Sequence, residues 1–168
     1  MKRRSAPEVE AAEALALLRA AGASLATAES LTGGRLAAAV TSVPGASSSY
    51  VGGFVTYATE LKETLLGVPR GVVEQYGVVS GECARAMAAG CRLATGATYA
   101  VATTGVAGPD SQEGKAVGTV FVGLAGPEGE TVLTMELIGD RHGIQDRACR
   151  EALAALCGIL RGEQPPLG

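Results

Sequence analysis

The sequence predicts an α/β protein whose mixed β-sheet has helices on both faces. Short apolar runs alternate with helix-length segments through the first part of the 168-residue chain. Two strand-like runs then follow one another late in the chain, which is typical of a hairpin added to a parallel sheet. A chain of this length is expected to form a single domain with a substantial core.

The first half of the chain predicts helices and strands in alternation. Ser5 and Glu8 form a capping box before an Ala-rich helix that ends at Gly22. Gly52 and Gly53, inside the second predicted strand, indicate a bulge or a close approach to another segment. The segments after the first helix are a strand in 24–30, a helix in 32–43 that ends at Pro44 and Gly45, a strand in 48–58, and helices in 59–67 and 70–77.

The second half predicts a long helix, three strands and a closing helix. Ser80 is a favourable N-cap for the long helix, which ends at Gly96. Gly and Pro separate the last two strands, as expected for a hairpin turn. The predicted segments are a buried strand in 98–105, a loop over 106–118, strands in 119–126 and 130–139 joined around Pro127 and Gly129, and a helix in 140–162.

Composition and charge exclude several classes of function. Apolar residues make up 47% of the chain and charged residues 18%, and the formal net charge is -3. No basic field therefore attracts nucleic acid or an anionic membrane. The basic N-terminus is not followed by an apolar run of signal-peptide length, and no segment is long enough to span a membrane. We expect a soluble, cytoplasmic protein without nucleic-acid or membrane partners.

The four cysteines are expected to be small buried side chains in a reducing compartment. They are spaced eight apart in pairs within helical segments, too far apart for a disulfide inside one helix and without the spacing of a zinc site. A pairing between two helices, such as Cys83 with Cys149, remains an alternative at this point.

Two predicted strands end in loops rich in Gly, Ser and Thr. One is the segment LATAESLTGGRL at 25–36, and the other is TTGVAGP at 103–109. In open α/β sheets, ligands bind at the carboxyl ends of the strands, where helix N-termini offer amides to an anion or oxyanion. We therefore predict that both loops share one cleft. The simpler alternative is that their glycines only form tight turns. Known phosphate-binding and nucleophile-elbow motifs are absent.

Ser30 is the candidate nucleophile at the first of these loops, and Lys62 is the candidate base. The only histidine, His142, lies at a predicted helix start and is expected to be a surface residue. A catalytic lysine must have a pKa lowered by desolvation or by neighbouring cations. Tyr57 could hydrogen-bond the amine or transfer a proton, and alternation along the strand directs Glu29 away from Ser30. Taken singly, these residues fit equally well as a surface lysine, an N-cap serine and a core tyrosine.

Four motifs together resemble the C-terminal domain of the competence/damage-inducible protein CinA. They are TAESLTGGRLAAAVTSVPGASSSYVGGFVTYATELKETLLGV, GVVSGECARAMAAG, TTGVAGPDSQEGKAVGTVFVGL and GDRHGIQDRA, in the order found in that family. The resemblance covers residues 8 to 160. It implies a three-layer α/β/α sandwich with a mixed sheet, and a division into a tail at 1–7, one domain at 8–162 and a tail at 163–168. Because the chain begins with Met1 and a capped helix, we expect a stand-alone version of this domain.

The same resemblance implies an activity. Stand-alone members hydrolyse nicotinamide mononucleotide to nicotinate mononucleotide and ammonia without a metal or cofactor, which returns the nucleotide to NAD synthesis. It implies that Ser30 is the nucleophile and Lys62 the general base, with Tyr57 nearby, and that the protein forms a homodimer or higher homo-oligomer. Residues assigned to the oxyanion and to the ribose phosphate are Thr32, Gly33, Gly34, Thr104, Gly105, Gly108 and Pro109.

The sequence departs from the family pattern at four places. Gln145 replaces an arginine of the last helix, which leaves Arg141 as the better phosphate ligand. The other departures are Leu31 for Cys, Ala58-Thr59 for Ser-Asn, and Ala116 for Pro. Two alternatives therefore stand beside the deamidase: a nucleotide-binding or regulatory module without catalysis, and an amidase or esterase with another substrate.

Overall fold

A five-stranded sheet with helices on both faces forms the core of the protein. The computed structural model describes residues 4–163, so residues 1–3 and 164–168 of the predicted tails lie outside the described residues. In chain order the elements are α1 (Ala6–Ala21), β1 (Leu25–Glu29), α2 (Arg35–Thr41), β2 (Tyr50–Val55), α3 (Thr59–Leu66), α4 (Arg70–Tyr76), α5 (Gly81–Thr95), β3 (Tyr99–Gly105), β4 (Thr119–Gly126), β5 (Gly129–Glu136) and α6 (Arg141–Leu160).

The sheet has the strand order β2-β1-β3-β4-β5. β1 is parallel to both β2 and β3, whereas β4 pairs antiparallel with β3, and β5 pairs antiparallel with β4. The predicted mixed sheet is therefore confirmed. Glu29 of β1 lies opposite Thr103 of β3. Both strands consequently end at the same edge of the sheet, and the loops that follow them begin side by side.

Two apolar clusters hold the layers together. One buries α1, α2 and α6 against one face of the sheet. The other buries α5, with α3 beside it, against the opposite face. The central strand β1 is buried along its whole length, which explains its continuous run of small and apolar residues. This arrangement confirms the predicted three-layer α/β/α sandwich.

The local sequence signals mark most element ends correctly. The capping box of Ser5 and Glu8 is present, Gly22 ends α1 in the left-handed conformation, and the Ser80 hydroxyl accepts the amide of Cys83. The pairing of β1 with β2 shifts register next to Gly52, so the predicted bulge is confirmed. Gly53 also shows the predicted close approach, because a Cβ there would collide with the Thr27 carbonyl.

The four cysteines are free and buried. Cys83 and Cys149 belong to the clusters on opposite faces of the sheet, so the alternative of a disulfide between them is wrong. Burial raises the pKa of all four thiols, which keeps them protonated near neutral pH. Within residues 4–163, no helix has both the length and the apolar character needed to cross a membrane.

Candidate active site

The loops after β1 and β3 border one cleft, as the sequence predicted. The amide of Ser30 donates to the carbonyl of Thr103 at 3.0 Å, which joins the two loops at their start. The cleft has a volume of about 460 Å³, within the range typical of small-molecule sites. Its lining residues are Ser30, Leu31, Tyr57, Thr59, Lys62, Val78, Val79, Thr104, Gly105, Val106, Ala107, Gly108, Pro109, Asp110, Ser111, Gln112 and Arg141.

Ser30 and Lys62 are in direct contact at the floor of this cleft. The Lys62 Nζ lies 3.0 Å from the Ser30 Oγ. The same nitrogen lies 2.6 Å from the carbonyl oxygen of Thr56 and 3.5 Å from that of Tyr57. α3 places Lys62 beneath the cleft, where the residue is only 1% exposed. The structure therefore brings the predicted nucleophile and the predicted base within hydrogen-bonding distance.

The surroundings of Lys62 favour its neutral form. Burial lowers the pKa of Lys62 from its ordinary value of 10.5, and weaker interactions with Cys83, Glu113 and Glu60 oppose this shift. Among the residues that the structure describes, no carboxylate forms a salt bridge with Lys62. Two carbonyl oxygens accept its N–H groups instead. A lysine with a lowered pKa and a hydroxyl within hydrogen-bonding distance meets the requirements of a general base.

Glu29 caps the helix that follows the serine. Its carboxylate accepts the amides of Leu36 at 2.7 Å and Ala37 at 3.2 Å, and the hydroxyl of Thr32 at 2.7 Å. Glu29 is completely buried. The strand therefore directs Ser30 toward Lys62, while the preceding carboxylate fixes the turn and the N-terminus of α2. This capping role explains why a carboxylate stands beside the serine.

The same contacts correct the prediction that α2 offers free amides to an anion. The first-turn amides of Leu36 and Ala37 are already bound by Glu29, and the Gly33 amide donates to the Ser30 carbonyl at 3.0 Å. Thr32, Gly33 and Gly34 do not line the cleft. The helix predicted to start at 32 begins only at Arg35, because 32–34 form the turn that Glu29 stabilises.

The backbone amide next to the nucleophile at the cleft is that of Leu31 and not that of Gly33 or Gly34. Leu31 lines the cleft, and its N–H donates to no acceptor found within residues 4–163. The Nε2 of Gln145, a buried residue of α6, donates to the Leu31 carbonyl at 2.8 Å. Gln145, at the position where the resemblance implied an arginine, therefore supports the loop that carries Ser30 and does not line the cleft.

Tyr57 and Arg141 meet at the mouth of the cleft. One guanidinium nitrogen of Arg141 donates to the Tyr57 hydroxyl at 3.0 Å, and the other donates to the Gly108 carbonyl. The Tyr57 hydroxyl therefore contacts Arg141 and does not make the hydrogen bond to the Lys62 amine that the sequence allowed. The Tyr57 carbonyl contacts the lysine instead. Tyr57 is 60% exposed, so the alternative of a core tyrosine is also wrong.

The loop after β3 forms the opposite wall. Thr104, Gly105, Gly108 and Pro109 line the cleft as predicted, although the Thr104 hydroxyl donates to the Val78 carbonyl at 2.7 Å. The sequence interpretation did not single out the next residues of this loop, which also line the cleft: Asp110, Ser111 and Gln112. Their position directly after the glycine-rich segment was the signal that could have identified them.

Neither His142 nor the acidic group of Glu10 and Glu13 contacts Ser30 or Lys62. His142 is exposed in the first turn of α6, and its Nδ1 lies 2.7 Å from the Arg35 guanidinium, as expected for a surface residue. The group within the described residues with metal-ligand spacing, Glu10, Glu13 and Cys157, lies between α1 and α6. Both of its carboxylates form ion pairs with arginines. The cleft lining itself offers a metal ion only one carboxylate, Asp110.

We expect Glu29→Gln to destabilise the protein by about 1.5–3 kcal/mol, the usual contribution of hydrogen bonds to a charged group. The amide keeps the size of the side chain, but its NH2 group is placed against an N–H or O–H donor from which the carboxylate accepted a hydrogen bond. Urea unfolding at pH 7 measures this change. Glu128→Gln, at the exposed turn between β4 and β5, is the matched control and should stay within about 0.5 kcal/mol of the unmodified chain. Equal unfolding midpoints for Glu29→Gln and the control would contradict the capping role.

The fold and the site define an α/β protein with a serine–lysine pair at the carboxyl ends of two parallel strands. A family model described as the CinA C-terminal domain matches residues 8–160, and the chain belongs to this family. The resemblance stated from the motifs is therefore confirmed.

Individual relatives agree with this assignment. A CinA-like protein of Frankia casuarinae is 51% identical over 148 residues, which cover 88% of this chain and 34% of the relative. A solved CinA superfamily protein from Klebsiella pneumoniae has a TM-score of 0.90 at 32% identity, with 93% of this chain and 98% of that chain covered. A competence/damage-inducible protein from Agrobacterium tumefaciens has a TM-score of 0.89 at 33% identity, with 96% and 99% covered. The chain spans about one third of the length of the curated relatives it matches.

Proposed function

We propose that this CinA-family domain hydrolyses the carboxamide of nicotinamide mononucleotide, releasing ammonia and nicotinate mononucleotide. The observation that carries the proposal is the 3.0 Å contact between the Lys62 Nζ and the Ser30 Oγ, made by a buried lysine without a salt-bridge partner among the described residues. A serine paired with a lysine of lowered pKa is an arrangement that activates a hydroxyl for acyl transfer.

In the first half of the reaction, Ser30 attacks the carboxamide carbon. Its hydroxyl proton moves to the neutral amine of Lys62, whose other N–H groups are held by the Thr56 and Tyr57 carbonyls. Collapse of the tetrahedral intermediate breaks the C–N bond. The protonated Lys62 returns its proton to the departing nitrogen, so ammonia leaves and a nicotinoyl ester on Ser30 remains.

In the second half, water cleaves this ester. Lys62, neutral again, accepts a proton from the attacking water, and the second tetrahedral intermediate expels the Ser30 oxygen. The proton on Lys62 returns to Ser30, and the carboxylate product leaves. The amide of Leu31 is the candidate donor to the oxyanion in both halves, because it follows the nucleophile and lines the cleft.

Arg141 is the candidate ligand for the phosphate of the substrate. It lies at the mouth of the cleft, and its two terminal nitrogens donate to neutral oxygens of Tyr57 and Gly108. A phosphate would offer stronger, charge-assisted acceptors at the same place. The remaining wall, formed by Thr104–Gln112, would then face the ribose.

The direct test is ammonia release from nicotinamide mononucleotide by the purified protein, with and without a chelator. We expect release that persists with the chelator and is lost with free nicotinamide, because a site that uses its phosphate contact to position the amide turns over the truncated substrate poorly. Free nicotinamide carries the same carboxamide but lacks the whole ribose phosphate, so it tests the contribution of that group to turnover.

Two outcomes would favour the alternatives. Turnover of small amides or esters as efficient as that of the nucleotide would favour an amidase or esterase with another substrate. No turnover of any pyridine nucleotide, combined with measurable binding, would favour a nucleotide-binding or regulatory module that uses the same cleft without catalysis.

A further inference from the structure

The segment between α4 and α5 is held by side chains instead of by a neighbouring strand. Val78 and Val79 of this segment line the floor of the cleft. A segment that joins neither a helix nor a sheet leaves its amides and carbonyls in need of other partners. Three side chains provide them, and all three come from the end of β3 or from the loop at 106–118.

The contacts satisfy both peptide groups of the two valines. The Glu113 carboxylate accepts the amide of Val78 at 3.0 Å with one oxygen and that of Val79 at 3.3 Å with the other. The Lys115 Nζ donates to the Val79 carbonyl at 2.8 Å. The Thr104 hydroxyl donates to the Val78 carbonyl at 2.7 Å. We call the contacts of Glu113 and Lys115 with the two valines the latch.

The backbone is adapted to the latch on both sides. Glu113 adopts φ = 53°, and it is the one non-glycine residue with positive φ in the part of the chain that the structure describes. This conformation is unfavourable for a residue with a Cβ, so other contacts must compensate for it. Opposite it, a Cβ at Gly77 would collide with the Glu113 carboxylate. The absence of a side chain at 77 therefore permits the approach.

Along the loop, the latch residues follow the part that lines the cleft and precede the end of the loop at Gly118. The ends of the loop are fixed by Val106, whose amide donates to the Thr119 carbonyl and whose carbonyl accepts the amide of Gly118. Glu113 and Lys115 then tie the far end of the loop to the floor of the cleft, directly after the wall residues 110–112. Apart from the latch, the side-chain hydrogen bond found for 108–112 within the described residues is the one from Arg141 to the Gly108 carbonyl, and Gln112 pairs with Lys115 through the backbone.

We propose that Glu113 and Lys115 are positioning residues that hold in place the substrate-binding wall formed by 108–112. The proposal rests on the function proposed above and deepens it. Because the Ser30–Lys62 contact is built on β1 and α3, release of the latch should mainly weaken substrate binding. The Glu113 charge also raises the pKa of Lys62, so kcat is compared on the pH plateau where the lysine is neutral in each variant. The effect is expected mainly in KM.

The test compares Glu113→Ala and Lys115→Met with Glu128→Ala, the matched control at the hairpin turn on the other end of the sheet. Loss of hydrogen bonds to a charged group predicts an increase in KM of about 10- to 100-fold for Glu113→Ala, with kcat within about 3-fold. Lys115→Arg keeps a donor for the Val79 carbonyl and should restore most of the binding lost in Lys115→Met.

A second readout does not require turnover. Residue-resolved hydrogen exchange should show the amides of Val78 and Val79 exchanging about 10- to 100-fold faster in Glu113→Ala, while amides of β1 keep their protection. If Glu113→Ala loses protection throughout, Lys115→Met provides the same comparison through exchange of the Gln112 amide, which donates to the Lys115 carbonyl at 3.2 Å. A merely structural charge on the surface would change none of these local rates.

The outcomes separate the latch from the proposed function. A raised KM with faster exchange at Val78, Val79 and Gln112 supports the latch. Unchanged KM and unchanged exchange overturn it and leave the deamidase standing. If the unmodified protein releases no ammonia, the proposed function fails, and exchange of these three amides alone decides whether Glu113 and Lys115 hold the wall.

Discussion

Ser30→Ala is expected to lower kcat for ammonia release from nicotinamide mononucleotide by at least about 1,000-fold, the scale on which loss of a nucleophile acts in hydrolases. The Lys62 Nζ lies 3.0 Å from the Ser30 Oγ, and this hydroxyl is the one side-chain oxygen that it contacts within residues 4–163. Among the described residues, Lys62 therefore has no second hydroxyl that it could activate in place of Ser30. The measurement is steady-state ammonia release at saturating nucleotide.

The variant should keep its fold and its ability to bind the nucleotide. Ser30 lies at the surface of the cleft, and its backbone contacts with Thr103 and Gly33 do not involve the hydroxyl. We therefore expect nearly unchanged thermal unfolding and an unchanged Kd by calorimetry. Ser47→Ala, an exposed serine before β2 at the other end of the sheet, is the matched control and should retain full activity. Comparable turnover by both variants would rule out Ser30 as the nucleophile.

Most of the fold was predictable because its signals are local. The capping box at Ser5, the N-cap at Ser80 and the glycines that end α1 and α5 act within one helical turn. The prediction was less accurate for α2, which begins at Arg35 and not at 32. The cap of α2 is Glu29, a residue of the preceding strand, and a capping side chain outside the usual position leaves no short-range pattern to recognise.

The site was predictable in its chemistry more than in its contacts. A serine after a buried strand and a lysine among leucines on a short helix indicated the pair, and parallel pairing of β1 with β3 brings both loops to one edge. The partners of Tyr57 and Gly33 depend on tertiary distances instead. Arg141 reaches Tyr57 from α6, and the turn at Ser30 uses the Gly33 amide. Neither contact has a signature in sequence spacing.

Lys62 should control the pH dependence of the reaction. Burial lowers its pKa from the ordinary 10.5, and catalysis requires the neutral amine. We therefore expect kcat/KM to rise with pH and to level off above the lowered pKa, with a midpoint below 10.5. A rate profile without this rise, in which ammonia release is fastest where the lysine is fully charged, would contradict the role of Lys62 as base.

Replacing the lysine separates its charge from its ability to lose a proton. Lys62→Arg keeps a positive charge that is not lost at accessible pH, so an essential base predicts at least about a 1,000-fold loss of kcat with Arg at every pH. If Lys62 contributed only electrostatic attraction, Lys62→Arg would retain much of the activity and Lys62→Met would not. Lys62→Met removes charge and base together while keeping an apolar stem of similar length. It provides the comparison if the larger guanidinium does not fit.

Stability provides an independent check on the same lowered pKa. Between the pKa of Lys62 in the folded protein and its higher value in the unfolded chain, the unfolded state binds more protons, so the free energy of unfolding should rise with pH because of this residue. Tyr50 and the four cysteines, whose pKa values are raised by burial, act in the opposite direction over alkaline pH. The difference in unfolding free energy between the unmodified protein and Lys62→Met cancels the contributions of Tyr50, Cys91, Cys149 and Cys157, whose pKa shifts do not involve Lys62. Cys83 interacts with Lys62, so the comparison is made below the raised pKa of that thiol. That difference should shift toward the unmodified protein as pH rises, whereas a difference independent of pH would mean that Lys62 titrates as it does in water.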